Sequence, residues 1–204
     1  HMMFNPDYTS ISLPPNLNDP RPFGWSGYSV EPHYDYIIDL IQGPDQLYST
    51  LSNKKRQDFN RAKRRGMLVE IGGRKEYNMV LNLMDARYKQ QSKPITVHKN
   101  YLMDIYDAFS DRMIIVVTKY KDEVVTGSID LLYRDTIFSW IGNPKPITNI
   151  SPSANDLVIW ESIRYGCEQG FQNYVTLSAA GNRRLHSYYS SKFNPKLQVR
   201  FSVK

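Results

Sequence analysis

Apolar positions along this chain alternate between a helical period and a two-residue period, and the switches mark its elements. Tyr34 to Leu40 reads as a strand, and Gly43-Pro44 breaks it. Leu47, Tyr48, Leu51, Phe59 and Ala62 then form the inward stripe of a helix predicted from Asp45 to about Arg65. Gly66 ends it, and Met67 to Ile71 reads as a strand. Met79, Val80, Leu83, Met84 and Arg87 predict a helix over Lys75–Gln90, stopped by Ser92-Lys93-Pro94. Leu102, Ile105, Tyr106 and Phe109 predict a shorter helix from about Lys99 to Phe109. Met113–Tyr120, Val124–Tyr133 and Thr136–Gly142 read as strands of an antiparallel meander, with tight turns at Lys121-Asp122 and Arg134-Asp135.

The stretch from Ser151 to Asn194 carries the next change of period. Ser153 with Asp156 three residues later resembles a capping box, and Ser151-Pro152 is a competing helix start. Leu157, Trp160, Ile163 and Cys167 follow at helical spacing up to Gly170. Tyr174 to Leu177 is a short strand. Asn182 can cap a second helix with Leu185, Tyr188, Tyr189 and Phe193 on its apolar face, and Leu197 to Val203 is the last strand. Residues 4–26 hold Pro14, Pro15, Pro20 and Pro22, a density that predicts no helix there. The expected organisation is an extended Pro-rich arm over residues 1–26 and a single domain over 27–204, with Phe23, Trp25 and Tyr28 pinning the end of the arm. His1-Met2 ahead of Met3 reads as a vector-derived scar.

Composition narrows the chemistry. The chain has 204 residues, 41% of them hydrophobic, which suits one domain with a sizeable core. Its lone cysteine, Cys167, excludes an internal disulfide framework and a cysteine-rich zinc site. No metal site is expected. No apolar run reaches the length of a membrane span and no signal-peptide pattern is present, so a cytoplasmic location is the expectation.

The net charge is +6, and its densest cluster lies on the first long helix: Lys54, Lys55, Arg56, Arg61, Lys63, Arg64 and Arg65, countered by Asp58. A solvated face is one reading of this cluster and a phosphate-binding patch is the other. The helix start at Ser153, Asn155 and Asp156 is a second place where an anion could sit, because the first amides of a helix lack partners. Arg183 and Arg184 at the next helix start are a third. Asp130, Asp156, Glu161 and His186 are the candidate proton acceptors, with helix capping expected for Asp156 and a surface charge for Glu161.

The element order is similar to that of the GNAT acyltransferase superfamily. It implies an α/β (α+β) fold with a central mixed, largely antiparallel sheet flanked by helices. Three segments resemble its Fem-like branch more closely: LSNKKRQDFNRAKRRGMLVEI, SANDLVIWESIRYGCEQGF with NYVTLSAAG, and RRLHSYYSSKFNPKL. The resemblance covers roughly Tyr34 to Lys204. It implies transfer of an aminoacyl or acyl group to an amine, with aminoacyl-tRNA or acyl-CoA as donor and no further cofactor. Relatives of this kind often hold two such domains in tandem, so an upstream domain is expected. The chain departs from the superfamily in two places. ITNISPSAND stands where coenzyme A users usually place a glycine-rich phosphate loop, which favours a Fem-like donor. Tyr189-Ser190 stands where the branch tends to have an aromatic-Lys pair, and Lys192 is the nearby candidate cation.

The expected function is therefore aminoacyl or acyl transfer. Asp130, His186 and Lys192 are the catalytic candidates. Lys54, Lys55, Arg61, Arg64, Arg65, Ser153, Asn155, Arg183 and Arg184 are the donor- or phosphate-binding candidates. The alternatives are a non-catalytic module that binds tRNA or another phosphate-rich partner, and a coenzyme A-dependent N-acetyltransferase.

Overall fold

A computed structural model describes residues 8–13, 17, 19–94, 97–142, 154–177, 183, 186 and 190–204. It divides into two compact units, one made of His1–Ile37 with Thr176–Lys204 and the other of Ile38–Val175. The architecture is the expected α/β one, with mixed, largely antiparallel strands flanked by helices.

In the first unit, strand β8 (Lys196–Val203) lies between β1 (Ile11–Ser12) and β2 (Val30–Asp39), antiparallel to both. Tyr34 pairs with Val199 and Asp35 with Gln198. Asp35 is buried and accepts from Arg200 at 2.6 Å, an enclosed pair that ties β2 to β8. The Pro-rich arm holds one helical turn, α1 (Arg21–Trp25), although its proline density predicts none. The reason is position: Pro22 falls in the first turn, where a missing N–H costs nothing. Trp25 is 78% exposed and so does not pin the arm.

In the second unit the strand order is β7 (Asn173–Thr176), β6 (Thr136–Gly142), β5 (Glu123–Tyr133), β4 (Met113–Tyr120), β3 (Met67–Gly72), with Thr176 itself crossing into the first unit. The turns at Lys121-Asp122 and Arg134 take positive φ, as two-residue hairpins require. One face of this sheet carries α4 (Arg74–Gln90) and α5 (Lys99–Phe109). Tyr77, Val80, Leu81 and Leu102 pack there on Ile115, Val117 and Ile129. Gly127 makes the close approach possible, since a Cβ there would sit 2.6 Å from Val80 Cγ2 and 2.8 Å from the Val116 carbonyl.

α6 (Ala154–Glu168) covers the opposite face. Two shorter helices, α2 (Pro44–Ser49) and α3 (Asn53–Arg64), occupy the span where the pattern predicts one. Ser52 explains the break. Its hydroxyl accepts from the Lys55 amide at 3.3 Å and starts a new helix, a local signal the apolar stripe conceals. Leu47, Leu51, Phe59 and Ala62 of that stripe are all buried. The helix predicted from Asn182 falls mainly outside the described residues.

Candidate active site

β5 and α6 build the site in the second unit. Along β5, Thr126, Ser128 and Asp130 alternate with Gly127 and Ile129, so one face of an otherwise apolar strand is polar. All three polar side chains are buried and face α6. Thr126 Oγ1 donates to Asn155 Oδ1 at 2.7 Å, and Thr118 Oγ1 on β4 donates to the Ala154 carbonyl at 3.3 Å. These bonds fasten the first turn of α6 to the sheet.

Asp130 is likewise fully enclosed. Burial disfavours its charged form and pushes its carboxyl up from 3.8 to about 7. Hydrogen bonds from Ser162 on α6, Ser128 on β5 and Ser139 on β6 pull in the opposite direction. Asp130 Oδ1 makes no hydrogen bond among the described residues. Asp130 pairs in register with Ser139, and the ladder slips by one residue beside them, between Ile129 and Asp130. Ile129 opposes Ile141 while Asp130 opposes Ser139, so Trp140 is the extra residue of a bulge on β6. Ser139 itself is half-buried, the accessible member of this group.

The basic helix meets the same end of α6. Lys55 Nζ donates to Asp156 Oδ2 at 2.6 Å, with the carboxylate 3% exposed and the lysine 31%. Asp156 is thus a buried partner of Lys55 inside the first turn of α6. Lys54, Arg61, Arg64 and Arg65 remain on the exposed side of α3, and Arg61 has an exposed 3.7 Å pair with Asp58. The structure therefore brings Lys55, Asn155 and Asp156 together and leaves Lys54, Arg61, Arg64 and Arg65 facing solvent. Glu161, expected as a surface charge, is only 15% exposed and pairs with Arg164 on the helix.

The remaining candidates belong to the first unit or lie outside the described residues. His186 is exposed and shares a hydrogen bond through Nδ1 with the hydroxyl of buried Tyr36, their rings 5.8 Å apart. Lys192 is 7% exposed, beside Phe193, which holds a left-handed φ of 58°. Arg183 is exposed. Ser153 and Arg184 lie outside the described residues.

Ser128, Ser139 and Ser162 were not among the sequence candidates. Their signal was present as polar residues at apolar-periodic positions, Thr126-x-Ser128-x-Asp130 on the strand and Ser162 among the inward residues of α6. Among the described residues no cluster of His, Cys, Asp or Glu could hold a metal, and no helix is long and apolar enough to cross a membrane.

Among solved structures the fold resembles FemX, with a TM-score of 0.68 at 12% identity, covering 82% of this chain and 61% of that one. It also resembles the C-terminal domain assigned to a lysylphosphatidylglycerol synthetase from Agrobacterium fabrum, with a TM-score of 0.66 at 11% identity, covering 90% of this chain and 64% of that one. L-PGS from Bacillus licheniformis gives 0.59 at 16% identity, covering 89% of this chain and 63% of that one. The chain thus spans less than two thirds of each of these structures, and identities this low establish a shared, Fem-like fold. A search of the curated proteins finds no match. Residues 51–188 match the family described as Acetyltransferase (GNAT) domain, and this span includes α3, β5, β6 and α6. The chain belongs to the acetyltransferase (GNAT) domain family.

Proposed function

We propose that this protein transfers an aminoacyl or acyl group to an amine, with a phosphate-bearing donor held where α3 meets the first turn of α6. The observation that carries this reading is the 2.6 Å Lys55–Asp156 bridge. It fixes a helix rich in Lys and Arg against a helix N-terminus, two anion-attracting features from distant parts of the chain. Asp156 neutralises Lys55, which leaves Lys54, Arg61, Arg64 and Arg65 as the cations offered to the donor. The many exposed cations and the glycine-free ITNISPSAND segment favour aminoacyl-tRNA over coenzyme A, and with it a cytoplasmic reaction.

In this reaction the amine nitrogen attacks the acyl carbonyl carbon. The C–O bond to the donor ribose breaks (C–S if the donor is a thioester), and the leaving oxygen or sulfur takes up a proton. The attacking amine must lose one. Asp130 is enclosed, so it acts through Ser139: the half-buried hydroxyl accepts the amine proton while its own passes to the carboxylate. A carboxyl pushed up to about 7 takes a proton near neutrality far more readily than an ordinary aspartate. His186 with Tyr36 is the second proton-handling pair, in the first unit.

Titration of the protein with aminoacyl-tRNA and with acetyl-CoA tests the donor. Saturable binding of the tRNA, with acetyl-CoA binding at least tenfold more weakly, is expected. Tight one-to-one binding of acetyl-CoA without tRNA binding would establish the coenzyme A-dependent alternative. Single-turnover transfer slowed at least tenfold in Ser139→Ala, with donor binding unchanged, is expected of the relay. An unchanged rate would remove Ser139 and Asp130 from the chemistry.

A further inference from the structure

The second unit also contains a cavity of about 500 Å³ on the sheet face opposite Asp130, between α5 and strands β5 and β6. Its size is within the range of small-molecule sites, roughly 300–1,000 Å³. The cavity exists because the helical cover on this face is incomplete. Leu131 and Trp140 pack against the edge of the core cluster under α4 and α5 and are themselves only partly buried. The bulge at Trp140 displaces β6 at that edge. Tyr101 and Phe109 from α5 form one wall, and Tyr133, Phe138 and Trp140 form the floor and the other wall. Tyr101, Phe109 and Tyr133 are at least half exposed, so large aromatic surface is left open to water around one concavity.

Charge in the lining has one sign. Arg112 is the sole charged residue among those that line the cavity. Its side chain is 62% exposed, and its ion pair among the described residues is a loose 3.9 Å contact with neighbouring Asp111. A second guanidinium, Arg134, sits over the Tyr133 ring at 5.3 Å. An aminoglycoside-like polycation would meet arginines and find no lining carboxylate, and a bare sugar would leave its hydroxyls against aromatic rings without partners. A flat apolar body with one carboxylate satisfies both the rings and Arg112.

We propose that this cavity binds a dipeptide-sized carboxylate ligand with aromatic or large aliphatic side chains, its carboxylate on Arg112. The site lies on the sheet face away from Asp130 and Ser139, so this binding is separate from the proposed transfer.

Calorimetric titration with phenylalanyl-phenylalanine, its C-terminal amide and triglycine tests the site. The acid should bind saturably, the amide at least tenfold more weakly, and triglycine without measurable heat. Arg112→Gln should bring the acid down to the affinity of the amide and leave the amide unchanged. Equal affinity of acid and amide for the wild-type protein, or no saturable binding of the acid, overturns the proposal. That comparison needs no variant, so a folding defect in Arg112→Gln cannot obscure it. Acylation assays with either donor report on the transferase reading alone: their failure leaves the site standing, and failure of the binding comparison leaves the transferase reading standing.

Discussion

Asp130→Asn separates the energetics of the buried carboxyl from its chemistry. The substitution keeps the shape and removes the charge. In the folded protein the group titrates near 7, and its ordinary value is 3.8. Between those values the unfolded chain has released the proton while the folded chain still holds it. Stability therefore falls as pH rises through this window and levels off above it. Each pKa unit corresponds to about 1.4 kcal/mol, so the full loss is on the order of 4 kcal/mol. Asparagine does not titrate and escapes it. The variant should match the wild type near pH 4 and exceed it increasingly up to about pH 7. For a chain of this length the gap above pH 7 is roughly 10 °C in Tm. Differential scanning calorimetry at half-unit pH steps measures it. A Tm difference that does not change with pH, or a variant less stable than wild type at pH 8.5, would mean that the native carboxylate is charged and satisfied. The same variant should lose acyl transfer, so that the most stable form at neutral pH is the inactive one.

Three other substitutions address the parts that hold the site together. Lys55→Met removes the cation from a buried carboxylate and should cost about 1–2 kcal/mol in urea unfolding, a partial value because the lysine is itself partly exposed; no loss would show that the bridge does not position α6. Gly127→Ala forces a methyl against Val80 and the Val116 carbonyl and should cost about 1–3 kcal/mol by the same measurement. Ser52→Ala removes the cap of α3 and should cost about 1 kcal/mol, visible as a lower urea midpoint with an unchanged m-value.

The periodic parts of the fold were legible in the sequence because burial on one face imposes a period. Met113–Tyr120 and Thr136–Gly142 lie where the pattern places them, and Leu47, Leu51, Phe59 and Ala62 are buried as one stripe. What periodicity misses is decided by single hydrogen bonds. Ser52 splits a helix whose apolar stripe runs on without a gap, and Pro22 begins a turn of helix where proline density argues against one. The site was legible only in pieces. Asp130 stood out as an acid in an apolar strand, but Ser139 and Ser162 acquire meaning only when β6 and α6 bring them to it. Asp156 and Lys55 lie 101 residues apart, so their bridge could not be read from either segment alone.

In the proposed function, α3 and the start of α6 together hold a donor's phosphates. The salt dependence of tRNA binding measures this directly, as the slope of log K against log salt concentration for the wild type and for Lys54→Gln/Arg61→Gln/Arg64→Gln/Arg65→Gln. Each phosphate contact contributes about 0.7–0.9 to that slope. A slope shallower by roughly 3 is expected in the variant, with affinity at least tenfold lower at 50 mM salt. Identical slopes and affinities, with the variant folded, would contradict it.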